Sequence, residues 1–182
     1  PLFCDTDNND YSLASNSPAI GMGALGVGCG ELEDTGYYGP WYISVNGSDS
    51  NGDGTESSPF ATIQAGINKS LSSDTVLVGP GTYNEQINYK GKQVVVMSTS
   101  GADSTVIYSS NNNVSFNTQE GSSAILDGFT LTGSSASGIY VGNYSKPTLR
   151  NLVIYKKNRG IYLEYDCDVT ITNVTITDNE YG

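Results

Sequence analysis

What most constrains this chain is a repeat in its last third. Leu126-Asp127-Gly128-Phe129-Thr130-Leu131 is followed by Leu149-Arg150-Asn151-Leu152-Val153-Ile154. Ile171-Thr172-Asn173-Val174-Thr175-Ile176 comes next, so the steps are 23 and 22 residues. A second marker, Gly138-Ile139-Tyr140, returns 22 residues on as Gly160-Ile161-Tyr162, and Tyr181-Gly182 falls where a third copy begins. Self-similarity of this length is the signature of a solenoid. Within each copy apolar and polar residues alternate and β-branched residues dominate, so the unit is built of strands. The period is too short for a strand–helix–strand crossover and suits a coil of two or three short strands joined by bends. Coils stacked about 4.8 Å apart pair each strand with its equivalent one turn on. The expected fold is all-β, a parallel β-helix. Leu126, Leu149 and Ile171 form one internal row, and Phe129, Leu152 and Val174 another. Ile139 with Ile161, and Val141 with Leu163, fill the next wall. An ordinary β-sandwich with coincidental spacing is the alternative, and two independent markers sharing one step argue against it.

Charge narrows the partners. The 182 residues carry a net charge of −11, no Lys or Arg precedes Lys69, and nine of the 19 acids do. Phosphate-backbone binding needs basic clusters, so nucleic acid is not an expected partner. Anionic membranes are disfavoured for the same reason, and no apolar run approaches a membrane span. An opening Pro1 rather than Met leads us to expect a processed chain or a piece of a longer one. Richness in Gly, Ser, Thr, Asn and Tyr points to a secreted, extracellular or cell-surface location. Five Asn-x-Ser/Thr sequons, at Asn46, Asn68, Asn113, Asn143 and Asn173, fit that location as glycosylation acceptors. Such triplets also arise by chance in this composition. At Asn173, which sits in the repeat beside Asn151, a stacked amide is the better reading. Cys4 and Cys29 bracket the first segment and either pair or stay free, leaving Cys167 as an odd thiol within a coil.

Two segments carry a resemblance. Residues 1–23 (PLFCDTDNNDYSLASNSPAIGMG) are similar to the closing segment of secreted parallel β-helix proteins of the pectate-lyase-like superfamily. Residues 41–88 resemble the opening segment of the same proteins, through Trp41-Tyr42-Ile43-Ser44-Val45-Asn46-Gly47-Ser48-Asp49, Pro59-Phe60-Ala61-Thr62-Ile63-Gln64-Ala65-Gly66-Ile67, Asp74-Thr75-Val76-Leu77-Val78 and Pro80-Gly81-Thr82-Tyr83-Asn84-Glu85. The resemblance implies a right-handed parallel β-helix, of about 22 residues per coil by the repeat, with a short N-terminal capping α-helix. It is specific for fold and nearly silent on activity. Taken together, residues 1–30 close a β-helix and 31–40 are an acidic, Gly-flanked linker. Residues 41–73 supply the opening strand and capping helix, and 74–182 the coils. A closing segment thus precedes an opening one. That order fits a junction between tandem β-helices, or a subunit whose front completes a neighbour. An uncapped last coil exposes strand edges that template pairing with another chain.

The opening region holds further candidates. Tyr37, Tyr38 and Trp41 either cover the first coil or form a sugar platform or subunit contact. Asp49, Asn51 and Asp53 in Asp49-Ser50-Asn51-Gly52-Asp53-Gly54-Thr55-Glu56 resemble the front half of a Ca²⁺ loop. Phe60 stands where the full loop needs a Glu, so a plain Asx/Gly turn competes. Asp5, Asp7 and Asp10 form a second oxygen cluster with the same two readings. Ca²⁺ is the one cofactor these patterns admit. The expected helix starts with Ser58 as N-cap and Pro59 at its first position, with Phe60, Ile63, Ile67 and Leu71 on one stripe. Strands are expected at 75–78, 94–97 and 106–108, with a less regular passage at 114–116.

Catalytic chemistry finds little support. No His is present, which removes His-based nucleophile activation and His-ligated zinc. Arg150 lies one coil above Asp127 and reads as its ion-pair partner, an exposed contact worth roughly 0–1 kcal/mol. Lys156-Lys157-Asn158-Arg159 reads as a solvated bend. Asp166 and Asp168, read as alternate strand residues, share one outer face, whereas glycoside hydrolysis needs two opposed carboxylates. We expect no catalysis from this chain. Tyr140 and Tyr162 turn outward and stack one coil apart, either as ordinary cross-strand packing or as a flat strip for a glycan or neighbouring protein. The leading expectation is an extracellular structural β-helix module of a surface or filament-forming protein. It would associate with further copies or tandem repeats. The alternatives are a carbohydrate-binding module and the non-catalytic part of a polysaccharide lyase or hydrolase.

Overall fold

The computed structural model describes residues 3–5, 10–14, 27–29 and 40–181. Two units divide the chain, Pro1–Gly36 and Tyr37–Gly182. In the first, β1 (Phe3–Asp5), β2 (Asp10–Ala14) and β3 (Val27–Cys29) form a sheet in that order, antiparallel and then parallel. The expected Cys4–Cys29 pairing, the Asp5/Asp7/Asp10 cluster, and Tyr37 and Tyr38 fall on side chains outside the described residues.

The second unit is a right-handed parallel β-solenoid of about 23 residues per turn, with three strand faces. One face stacks β4 (Trp41–Ile43), β5 (Thr75–Val78), β8 (Val95–Ser98) and β11 (Ile125–Asp127), then the first halves of β14 (Thr148–Tyr155) and β16 (Thr170–Thr177). A second stacks β6 (Gly81–Asn84), β9 (Thr105–Ser109) and β12 (Thr130–Gly133), then the second halves of β14 and β16. The third stacks β7 (Ile87–Asn88), β10 (Val114–Phe116), β13 (Ser137–Val141) and β15 (Arg159–Leu163). The corner between the first two faces is turned by Gly128, Asn151 and Asn173, all with left-handed φ of 82°, 52° and 52°. Glycine and asparagine are the residues that accept this conformation most readily.

The repeat rows stand in the expected register. Leu126 pairs with Leu149 and Leu149 with Ile171, while Ile139 pairs with Ile161 and Val141 with Leu163. Their inner members are fully buried, as are Phe129 and Leu131. Residues 114–116, expected to be irregular, form a regular strand of the third face.

Helix α1 (Ile63–Lys69) is shorter than expected and starts later. Thr62, not Ser58, is its N-cap, its hydroxyl accepting from the Ala65 N–H. Pro59 and Phe60 instead continue an extended segment whose Phe60 bridges to Ile43. Leu71 lies beyond the helix and is exposed, so it does not belong to the buried stripe formed by Ile63, Gly66 and Ile67. The helix packs on β4, β5 and β7. A Cβ on Gly66 would stand 2.7 Å from Ile43 Cδ1 and 2.9 Å from Val76 Cγ1, so glycine is what lets the helix sit this close.

Candidate functional site

The outer side of the last coils gathers the most chemistry. Ile139 and Ile161 point into the core, so alternation turns Tyr140 and Tyr162 outward. Their rings stack with centroids 5.9 Å apart and planes at 22°. The Arg159 guanidinium lies 4.9 Å from the Tyr162 centroid and 5.9 Å from that of Tyr181, close enough for cation–π attraction. Tyr140 donates its hydroxyl to Glu164 Oε1 at 2.6 Å, and this bond, more than burial, pushes the phenol up to about 12. Past β15 the chain turns through Tyr165 and Asp166, beneath the bend at Asn143 and Tyr144. Tyr144, Tyr162, Glu164, Tyr165 and Asp166 line an open groove of about 460 Å³. Tyr144 and Tyr165 are largely exposed. Neither stands out as a site member in the sequence. The one signal for them is the 22-residue step from Tyr144 to Asp166, which share φ near 60°.

A second row runs along the left-handed corner. Asn173 Nδ2 donates to Asn151 Oδ1 at 2.8 Å, and Asn151 Nδ2 donates to Asp127 Oδ1 at 2.7 Å. Asp127 Oδ2 takes the Arg150 guanidinium at 2.9 Å, the expected ion pair. Asn173 is therefore a stacked amide in the row. Asp127 has both oxygens engaged within the protein.

Several expected site residues are placed elsewhere. Trp41 is no surface platform: it is 7% exposed, stacks on Phe60, and donates its indole N–H to Asp74 at 3.0 Å. The apolar end of the first coil needs a lid, and the indole supplies it. Asn113 is fully buried, with its amide donating to the Ile107 and Thr132 carbonyls, so it cannot carry a glycan in the fold. Asn46, Asn68 and Asn143 are exposed. Asp49 turns inward. Its two oxygens accept from the Ala61 and Thr62 N–H groups and the Thr62 hydroxyl. Asp53 accepts from the Thr55 N–H, which holds its carboxyl below the usual range. Asn51 is exposed and donates its N–H to the Ser48 hydroxyl. Among the described residues no group of three or more His, Cys, Asp or Glu could hold a metal ion. Asp166 and Asp168 lie in and after a turn rather than on a strand, because β15 ends at Leu163.

Two buried charges and one half-buried one are not legible locally. Lys157, expected in a solvated bend, is 3% exposed. Its ammonium donates to the carbonyls of Ser109 and Asn111, both at 2.8 Å, and of Ser134 at 3.4 Å, and burial pushes it down to about 8. Glu120 is buried and accepts from the Gly91 and Thr118 N–H groups and the Ser145 hydroxyl. Glu85 accepts from the Ile63 and Gln64 N–H groups at the start of α1; burial raises its carboxyl and these bonds oppose the rise.

A family model described as a right-handed β-helix region matches residues 63–182. The chain belongs to the right-handed β-helix family. No curated protein and no solved structure matches it. Membership in the β-helix family accounts for the coils, the inner rows and the turned corners, and leaves the outer face to be argued from its own residues. No helix among the described residues of this β-helix is long and apolar enough to cross a membrane.

Proposed function

We propose that this chain is a structural β-helix module of an extracellular surface or filament-forming protein, stacked end to end with neighbouring copies or tandem repeats. One observation carries the reading. The rows that are buried in every inner coil come to the surface in the last one: Leu163, Ile171 and Ile176 are 45%, 50% and 38% exposed. They continue Val141, Leu149 and Ile154, which are fully buried. Burying an aliphatic side chain of this size stabilises by roughly 1.5–3 kcal/mol, so an uncovered trio is a standing drive toward another coil. The eight-residue β16 pairs with β14 on one side only among the described residues. Sedimentation velocity and electron microscopy of the chain at rising concentration test this. End-to-end association is expected, and a discrete monomer across the range overturns it.

A second reading is carbohydrate binding along Tyr140, Tyr162 and the groove beside Glu164. What favours it is the combination of exposed tyrosine rings with carboxylate acceptors in one groove. Glycan-array binding that falls on Tyr140→Ala and Tyr162→Ala supports it; binding indifferent to both removes it.

A further inference from the structure

Tyr140 differs from the other tyrosines in two respects. The chain has thirteen. Among the described residues, Tyr140 and Tyr162 are the one pair of tyrosine rings in contact. Tyr140 is also the one whose hydroxyl donates to a carboxylate, since Tyr83 and Tyr89 donate to the Gly79 and Ile125 carbonyls. A carboxylate can take up the phenolic proton, and a backbone carbonyl cannot. The arrangement is set between two coils inside the chain. β13 and β15 are in register at these residues. The Glu164 N–H donates to the Val141 carbonyl and the Cys167 N–H to that of Glu164, which holds the turn carrying the carboxylate. Gly142 leaves the room: a Cβ there would stand 2.6 Å from Glu164 Oε2 and 2.8 Å from Tyr140 Oη. Ordinary cross-strand stacking accounts for the two rings and needs neither the carboxylate nor the glycine.

A phenol loses an electron most readily when its proton leaves at the same time. At 2.6 Å the Glu164 carboxylate is within reach of that proton. The Arg159 guanidinium lies 4.9 Å from the Tyr162 centroid and opposes loss of an electron there, so Tyr140 is oxidised first. The resulting radical faces a second phenol, with ring centroids 5.9 Å apart, rather than bulk water. Holding two reactants together turns their coupling into an effectively unimolecular step.

We propose that Tyr140 and Tyr162 form an oxidative cross-linking site, joined as dityrosine by a peroxidase and hydrogen peroxide, with Glu164 as the positioned proton acceptor. Each ring gives up one electron and its phenolic proton. The Tyr140 proton goes to Glu164 Oε1, which returns it to solvent, and the Tyr162 proton goes to water. The two radicals form one carbon–carbon bond between ring positions ortho to the oxygens. The hydrogens on those two carbons pass to the phenolic oxygens as the rings regain aromaticity. The protein loses two electrons and two protons in all, and one hydrogen peroxide takes up both to give two waters. The new bond ties β13 to β15 through residues 22 positions apart. This goes beyond both readings above and rests on neither.

The test treats the 182-residue chain, and its Cys167→Ser variant, with a haem peroxidase and hydrogen peroxide. Cys167 is a free thiol on the same turn and the nearest competitor for the oxidant. The expected result in both chains is dityrosine fluorescence, and a cross-linked peptide pair, lighter by two hydrogens, that maps to Tyr140 and Tyr162. Its fractional rate of formation is independent of protein concentration. Tyr140→Phe and Tyr162→Phe keep two aromatic rings in place, and each should abolish that peptide pair. Glu164→Gln keeps an acceptor oxygen but removes its basicity, so cross-linking should slow by about ten-fold or more. Denaturant midpoints of the variants separate a lost fold from a lost cross-link. No dityrosine in either chain, or dityrosine only at Tyr144, Tyr165 or between chains, overturns the proposal. An unchanged rate in Glu164→Gln overturns the proton-acceptor role. A thioether between Tyr140 and Cys167 in place of dityrosine overturns the choice of Tyr162 as partner.

Discussion

Lys157 sets the pH dependence of this fold. Its folded pKa is about 8, against 10.5 for a free lysine, so the unfolded chain binds more protons between those values. Stability from this group is therefore fully present above pH 10.5 and is lost as pH falls through 8. Expressed upward, stability rises between about pH 7 and 10 by on the order of 1–3 kcal/mol. One pKa unit corresponds to about 1.36 kcal/mol, and solvent screening removes part of it. Above about pH 10 the sign reverses, because the phenols of Tyr83 and Tyr140 are raised to about 12 and favour the folded state only while protonated. Urea midpoints across that range check this: the chain should gain stability, and Lys157→Met should lose most of that gain. A flat profile in the unmodified chain would count against it. Nothing near Lys157 in sequence announces its burial. The neighbours Lys156, Asn158 and Arg159 read as solvent-facing, and the carbonyls that hold the ammonium come from residues 46 and 48 positions away. Asp127, Asn151 and Asn173, by contrast, are legible, because a repeat step carries side-chain identity directly into contact.

Elements here are held by contacts between coils rather than by their own propensity. Helix α1 has seven residues, too few to stand alone in water, and each end is held by a charge from the following coil. Glu85 takes two N–H groups at its start. Lys92 Nζ donates to the carbonyls of Ile67, Asn68 and Ser70 at 2.6, 2.8 and 2.6 Å at its end. Glu85→Ala and Lys92→Ala should each destabilise by about 1–3 kcal/mol through the groups left unpaired, read from denaturant unfolding. The misplaced helix start has the same origin. Ser58-Pro59 is a fair local start signal, yet the Phe60 backbone is committed to β4 and Asp49 reaches across to the Ala61 and Thr62 N–H groups. The Gly-Ile-Tyr marker also finds its cause between coils. A Cβ on Gly138 would collide with Ile154 Cγ2 and come 2.7 Å from the Gly160 carbonyl, while one on Gly160 would collide with Ile176 Cγ2. Gly138→Ala should cost about 1–3 kcal/mol, as overpacked cores do. Gly160→Ala should cost less, since Ile176 is exposed and can move aside. Equal losses in thermal unfolding would refute that ranking.

A molecule whose coils touch only their neighbours is stable in proportion to what lies on both sides of each one. β11 has β8 before it and β14 behind it, and its Leu126 is fully buried. β16 has only β14 among the described residues, and its Ile171 is half exposed. The front coil has no preceding coil among the described residues either, yet on its first face its own loop and α1 stand in for one. Opening should therefore start at the rear and travel forward, rather than from both ends. Native-state amide exchange reads this directly, since sub-global openings appear as steps of protection along the chain. Protection should fall in the order β11, β14, β16, while β4 and β5 exchange more slowly than β16 despite lying at an end. If β16 is already as protected as β11, one-sided pairing does not weaken a coil here and the rear-to-front order of opening is refuted.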